Sequence, residues 1–456
     1  MMRRDPQRKR SLPRRDFLKL SALASGAALL SAQAETSTPK KPPVNDPVRQ
    51  RTWDAALATL AGNIDTVPSY DRPVLFEGSV YPGIWQECGP HEGLVYGTLG
   101  KYITQADDNA PTPLDIARNN HMAFFALQRP IGHESAGQIP ASIKMTDVGF
   151  GQIQMVVPIA ATAWELVQLT GDDELLVTAY NSCSRWDAWL RQYRDTRKTG
   201  LVEGFCTYDT GHDNSPRWAG IPNRCPDGDA RKVPSIPSMP RLCPDLSATV
   251  YGARVALASM ATALGKGDEA SRWQEDAEKI RQLIITKLYS PEDAAFYDLD
   301  AQNKFVRVRS DVISRVLGEH VLKRSDPHDK AIFEAIWSRQ IHNAKAFWAP
   351  YPLTSIAMDD PTFNRPTPPT PWPRNVWAGP SQALTALRAP RWMLYYGKQT
   401  ELNHLMRQWC EAIMRHTEFR QQMDPITGDF TQADPSGYSP AALVFLDFTR
   451  RLNQPT

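Results

Sequence analysis

The chain has 456 residues, 41% hydrophobic and 22% charged, which is too long for one small module and too ordinary for wholesale disorder. Its formal charge of +2 conceals an asymmetry: residues 1–34 hold eight basic and two acidic side chains, which leaves 44 basic against 48 acidic in the rest. A mildly acidic body with no basic block argues against nucleic-acid binding, because phosphate neutralisation needs clustered Lys and Arg.

The first element is an address. Ser11-Leu12-Pro13-Arg14-Arg15-Asp16-Phe17-Leu18-Lys19 reads as a twin-arginine export signal. Leu20–Leu30 forms its weakly apolar core, and Ala32-Gln33-Ala34 the small-x-small cleavage site before Glu35. Eleven helical residues reach about 16 Å, short of the ~30 Å of bilayer hydrocarbon, so no stable membrane span is expected. The reading is therefore a signal peptide over 1–34, a Pro/Lys-rich linker over 35–48 and one functional domain over 49–456. The export machinery is the partner expected for residues 1–34, and the mature protein is expected in a periplasm or beyond. Six cysteines, at 88, 183, 206, 225, 243 and 410, fit an oxidising compartment. Cys206, Cys225 and Cys243 crowd one loop-rich stretch, where either a single disulfide or buried free thiols would fit. No C-x-x-C or zinc-ligand spacing occurs, so neither a metal nor another cofactor is expected.

Twelve helical segments follow, near 47–62, 92–104, 113–128, 149–170, 173–195, 245–265, 267–288, 308–324, 328–340, 379–397, 400–418 and 438–452. The first sets Trp53, Ala56, Leu57 and Leu60 on one face. Three junctions share one punctuation: Leu169-Thr170-Gly171-Asp172-Asp173-Glu174, Leu264-Gly265-Lys266-Gly267-Asp268-Glu269 and Tyr396-Gly397-Lys398-Gln399-Thr400-Glu401. In each, Gly is expected to end one helix in a left-handed cap, and Asp or Thr to cap the next with Glu in its first turn. Such short turns join antiparallel helix pairs. Long irregular segments at 204–244 and 342–378, rich in Pro, Asp, Asn and Trp, interrupt the pairs, and loops of that length are usually functional. The pattern predicts an all-α (α/α)6 barrel, a six-hairpin toroid with its chemistry in the loops; the alternative is a two-domain helical solenoid.

Several chemistries are absent. His91-Glu92 and His133-Glu134 lack the second His of H-E-x-x-H, and Gly379-Pro380-Ser381 and Gly437-Tyr438-Ser439-Pro440 lack the second Gly of a nucleophile elbow. The mature chain holds no P-loop and no G-x-G-x-x-G. What remains is carboxylates, aromatics and amides in loops, the vocabulary of carbohydrate chemistry. Sugars offer C–H faces to Trp and Tyr, and hydroxyls to Asp, Asn, Gln and Arg.

The most informative segment is Gly204 to Trp218, and within it Asp213-Asn214-Ser215-Pro216 would serve equally as an Asx turn without function. The eight residues 211–218, however, satisfy G-x-D-x-S-x-R-W. That block resembles the acid loop of glycoside hydrolase family 63 and of the related trehalases. The resemblance extends through Gln152-Ile153-Gln154, Thr170-Gly171-Asp172, Asp245-Leu246-Ser247-Ala248, Phe296-Tyr297-Asp298 and Asp424-Pro425-Ile426-Thr427-Gly428. It is nearest in size to bacterial mannosylglycerate-hydrolase-like enzymes, and it implies the (α/α)6 barrel already favoured. It also implies that Asp213 is the general acid, a role calling for a carboxyl group kept protonated by apolar surroundings. Trp85, Trp218 and Trp377 are the expected aromatic walls, and Arg217, Gln154 and Glu87 the expected hydroxyl ligands.

Two positions depart from the family. Its W-R-G-P is Trp377-Ala378-Gly379-Pro380 here, which removes one sugar or carboxylate contact. Its general-base Glu, four residues before the Pro of D-P-x-T-G, is Gln421, and an amide cannot take a proton from water. Glu418 is the expected substitute, with Asp424 and Asp434 behind it. The leading expectation is an inverting hydrolase of a small α-linked glycoside or disaccharide, with a small carbohydrate as its partner. The alternatives are a catalytically silent sugar-binding protein and an inverting phosphorylase, which needs an acid but no base.

Overall fold

Alternation between helices buried on all sides and helices with one apolar face organises the chain. The computed structural model describes residues 46–103, 110–365, 376–431 and 436–453. The expected signal peptide and most of the linker lie outside them. Twelve α-helices fall within the described residues: α1 (Pro47–Gly62), α2 (Gly89–Thr98), α3 (Pro113–Ala126), α4 (Ile159–Thr170), α5 (Asp173–Tyr193) and α6 (Pro244–Ala263) in the first part of the chain. The rest are α7 (Gly267–Leu283), α8 (Val312–Gly318), α9 (Pro327–Ile336), α10 (Ala383–Met393), α11 (Gln399–His416) and α12 (Ser439–Leu452).

The even-numbered helices touch in a closed cycle, α2 to α4, α6, α8, α10, α12 and back to α2. Five of the odd-numbered helices pack against this cycle: α3 on α2, α5 on α4 and α6, α7 on α6, α11 on α10 and α12, and α1 on α12. Sequence explains the sorting. α12 is buried continuously from Ser439 to Arg450, whereas α7 buries only Ala270, Ala277, Ile280 and Arg281. A helix apolar all round must sit inside, and one with an apolar stripe can face water.

Each of the twelve expected segments overlaps one of these helices, and the larger shifts have local causes. α4 begins at Ile159 rather than 149 because residues 150–158 are irregular and Pro158 stands at the N-cap. α8 is shorter than expected: Ser310 is tied to Ile356 as a β-bridge, and His320 adopts φ 57° just past the helix. At the first αα junction Gly171 is left-handed (φ 70°) and Asp172 caps α5 through Leu175 N–H, as expected. The other two keep the left-handed Gly265 and Gly397, but their N-caps are Lys266 and Lys398. Asp268 and Thr400 therefore lie in the first turns instead of capping them. No described helix is long and apolar enough to cross a membrane.

Candidate active site

Segments that lead into the even-numbered helices are stitched to one another, and this stitching defines a rim. Val157 N–H donates to Glu87 O (3.4 Å), Met155 N–H to Asp209 O (3.0 Å), Trp377 N–H to Asp213 O (3.0 Å) and Ala383 N–H to Gln421 O (2.9 Å). Small antiparallel sheets reinforce it, pairing Gly83–Trp85 with Ser142–Lys144, Glu203–Gly204 with Arg241–Leu242, and Ser381–Gln382 with Gln422–Met423. None of the six even-numbered helices has a side-chain hydrogen bond at its N-cap. Their positive dipole ends therefore meet the rim, where carboxylates are stabilised. Glu87, Asp245 and Asp311 stand at three of these helix starts.

The segment 211–218 is held from below by buried charge. Arg217 Nε and Nη2 donate to Asp298 (2.8 and 2.6 Å), and Nη1 and Nη2 to Asp245 (both 2.7 Å). Nη1 also reaches His212 Nδ1 at 3.1 Å. All five guanidinium N–H donors are thus engaged by protein. Because Arg can only donate, His212 Nδ1 is an acceptor and Nε2–H donates to Asp311 Oδ1 at 2.6 Å. The imidazole is therefore neutral, in keeping with burial and the nearby Arg315, which push His212 down to about 4. Arg315 completes the brace through Asp311 (3.2 Å) and Thr210 O (2.5 Å).

The structure separates the expected site residues into two groups. Asp213 is half-buried at the crown of this brace, between left-handed Gly211 (φ 61°) and Asn214 (φ 56°). Glu87 lies against Gly211 so closely that a Cβ there would stand 1.6 Å from its carboxylate, so only glycine fits at 211. Burial raises Glu87, against Arg388 and Arg315, and Gln154 hydrogen-bonds its carboxylate. Trp85 is half-buried and meets Tyr81 edge-on at 5.5 Å. Trp377 is buried against His212 (5.1 Å) and Arg315 (5.1 Å), with its indole N–H unpartnered.

Most of the remaining expected residues are engaged by groups of the protein itself. Arg217 has no donor left for a sugar hydroxyl and is a brace. Trp218 is buried between Arg217 and Arg241, 5.2 Å from each, with its N–H on Thr210 Oγ1 (2.9 Å), so it belongs to the core beneath the loop. Gln421 is buried and accepts from Tyr81 OH at 3.0 Å. Glu418 follows the α11 C-cap, is 40% exposed, and is held below its usual range by Arg420 at 2.6 Å. Asp424 is spent on Arg365 (2.7 Å) and on the N–H groups of Ile426 and Thr427. Asp434 lies outside the described residues. Ala378, where the family has Arg, accepts Asn364 N–H at 2.7 Å through its carbonyl.

Sequence reading missed several residues here. Glu77 is buried, receives Tyr438 OH at 2.7 Å, and is raised well above its usual value by burial and then by Glu92 and Glu87, with Asp213 adding to the repulsion. Nothing in the sequence near Glu77 joins it to Tyr438, but Asp311 and Arg315 form an i,i+4 pair that was legible. Beneath the brace a cavity of about 20 Å3 is lined by Asp311, Arg315, Thr385, Arg388 and Glu319. A far larger one, about 980 Å3, lies among α5, α6 and α7, lined by Leu190, Arg191, Val250, Lys279 and Leu283. It contains none of the residues of the braced loop.

Two buried clusters have metal-like composition, Cys206/Asp209/Cys225 and Cys243/Asp245/Asp298. In each the aspartates already pair with a buried guanidinium, Arg194 in the first and Arg217 in the second. A fixed cation in the ligand shell opposes a second one, so these residues do not fit a metal.

Glu319 provides a pH test of this interior. Burial raises it from 4.5 to about 8, so the folded protein keeps a proton that the unfolded chain loses near 4.5. Stability from this group is present below about 4.5 and is lost as pH rises through about 8. Glu319→Gln is expected to flatten the fall of Tm between about pH 6 and 8.5, read by calorimetry. An unchanged slope would remove Glu319 as its source.

Residues 122–439 match the family described as mannosylglycerate hydrolase MGH1-like glycoside hydrolase domain. No curated protein sequence matches the chain. Among solved structures, the family 63 mannosylglycerate hydrolase of Thermus thermophilus, in complex with Tris, superposes with a TM-score of 0.65 at 17% identity. That match covers 89% of this chain and 100% of the other. Neutral trehalase of Saccharomyces cerevisiae matches with a TM-score of 0.58 at 13% identity, over 85% of this chain and 77% of its own. A rhamnosidase from Klebsiella oxytoca with rhamnose bound matches at 0.54 and 12%, over 92% and 66%.

Proposed function

The chain belongs to the mannosylglycerate hydrolase MGH1-like family of glycoside hydrolase domains, and from that premise we propose that it cleaves a small α-linked glycoside or disaccharide with inversion, using Asp213 as general acid. The carrying observation is that Asp213 stays half-exposed while every charged group bracing its loop is buried and paired. Such a frame holds one carboxyl group still against a leaving oxygen. Tyr81 and Trp85 offer an aromatic edge suited to a sugar face, and Glu87 with Gln154 offers hydroxyl partners. The closed helix cycle supports reading the fold as an (α/α)6 toroid. Export to a periplasm or beyond is proposed from residues 11–34.

Inversion calls for a second carboxylate ~6.5–9.5 Å from the acid. The family position for it is Gln421, and Glu418 is engaged by Arg420. That observation favours a second reading, a sugar-binding protein on the same scaffold with little or no turnover. The deciding experiment incubates purified mature protein with α-glycosides, trehalose and glycosylglycerates, with and without phosphate. Release of free sugar supports hydrolysis, a sugar phosphate supports phosphorolysis, and binding without turnover supports the second reading.

Two substitutions sharpen this. Glu418→Gln is expected to leave kcat within about threefold, because a base proper contributes ~10²–10⁴-fold. Gln421→Glu is expected to raise kcat by at least ~10-fold and to move the pH optimum upward, since a buried carboxylate among others has a raised pKa. If Gln421→Glu changes nothing and Glu418→Gln abolishes turnover, Glu418 is the base.

A further inference from the structure

The braced loop is also where two thiols meet. Cys206 and Cys225 are buried and unbridged, with their Sγ atoms 3.6 Å apart. Among the described residues no other two cysteine sulfurs are in contact. The pair stands at the neck of the segment that carries Asp213. Thr207 N–H donates to Pro222 O (3.0 Å) and Tyr208 N–H to Asn223 O (3.1 Å), so two backbone rungs hold the sides of the neck together beside the sulfurs. Cys225 N–H is in turn fixed to Gly151 O (3.3 Å).

We propose that Cys206 and Cys225 form a disulfide that closes the neck of the loop bearing Asp213. The bond needs the sulfurs to approach by roughly 1.5 Å, to the ~2.05 Å of a disulfide. A metal does not compete for the pair. Asp209, the third member of the cluster, places one oxygen on Arg194 Nη1 (2.5 Å) and the other on Arg194 Nη2 (3.1 Å), and it also receives Ile153 N–H and Phe205 N–H.

The oxidant is a second disulfide, either of a small molecule such as oxidised glutathione or of a thiol oxidase in an oxidising compartment. One cysteine thiolate attacks an oxidant sulfur, which breaks the oxidant S–S bond and releases one thiol. The other cysteine thiolate then attacks the protein sulfur of the mixed disulfide and releases the second thiol. Two cysteine thiols and one oxidant disulfide become one protein disulfide and two oxidant thiols, with two protons and two electrons passed to the oxidant. Both sulfurs are buried, so exchange requires the neck to open, and the bond once formed is shielded from reductant. Cross-linking the neck restricts the open states of the loop. Its consequence for catalysis rests on the role proposed for Asp213; the bond itself does not.

The test needs no substrate. Mature protein purified in the reduced state is incubated with excess oxidised glutathione a few degrees below its Tm, then denatured and alkylated. Four of the six thiols are expected to alkylate, the intact mass before alkylation to fall by about 2 Da, and one linked peptide to join Cys206 to Cys225. The oxidised protein is expected to melt higher than the reduced one, and this gain is expected to be absent from Cys206→Ser and Cys225→Ser. Six alkylated thiols, a link through Cys243, or a lasting glutathione adduct on either cysteine would overturn the proposal. Hydrolysis assayed on the same two samples reports separately on Asp213, so failure of the glycosidase reading leaves the thiol count intact.

Discussion

Asp213→Asn is expected to lower kcat by ~10²–10⁴-fold on a substrate with a poor leaving group, with Tm and ligand affinity nearly unchanged. The amide keeps the shape of the side chain, and the backbone carbonyl that receives Trp377 N–H is untouched. The brace below is equally unaffected, because His212, Arg217 and Arg315 bond to Asp311, Asp245, Asp298 and Thr210 and not to the Asp213 carboxylate. Every one of these bracing bonds is kept, while the transferable proton is lost. A leaving group that departs without protonation should therefore recover most of the rate, which separates acid catalysis from a binding role. The measurement pairs kcat on an alkyl glycoside with kcat on an activated aryl glycoside of the same sugar. Retention of more than about a tenth of the alkyl activity would remove Asp213 as the acid.

Much of the scaffold was legible because its signals are local. Helical periodicity located each helix, and Gly171, Gly265 and Gly397 marked junctions through a backbone conformation few other residues accept. The block from Gly211 to Trp218 was legible as a unit for the same reason. What escaped was the assignment of side chains within it. Arg217 can serve a sugar or a carboxylate with the same chemistry, and its partners are 28 and 81 residues away in sequence. Trp218 and Trp377 carry the same ring whether it faces a ligand or a core. Glu77 and Tyr438 are 361 residues apart and meet only because the helix cycle closes. Gln421 was identified because a rigid turn, Asp424 to Gly428, fixes the register four residues before its proline.

Arg217→Met is expected to destabilise the fold by ~3–5 kcal/mol near neutral pH, as removal of one partner from a buried ion pair does. Arg217→Lys is expected to recover only part of this, since an ammonium cannot supply five donors in a plane to two carboxylates and an imidazole. The pH dependence carries the sign. Burial alone would raise Asp245, but Arg217 outweighs it and holds the carboxyl below its ordinary value. In the native protein the stability from this group is present above that ordinary value and is lost as pH falls through the lowered one. Without the guanidinium, burial is opposed mainly by Arg315 at 3.6 Å, and the folded carboxyl takes up its proton at a higher pH than in the native protein. The variant therefore gains stability relative to the native protein as pH falls from about 7 toward 5. Urea midpoints across that range, with kcat/KM corrected for the folded fraction, provide the check. A gap in midpoint that narrows on acidification, with KM unchanged, marks Arg217 as a brace. A constant gap accompanied by a raised KM would instead return Arg217 to the sugar.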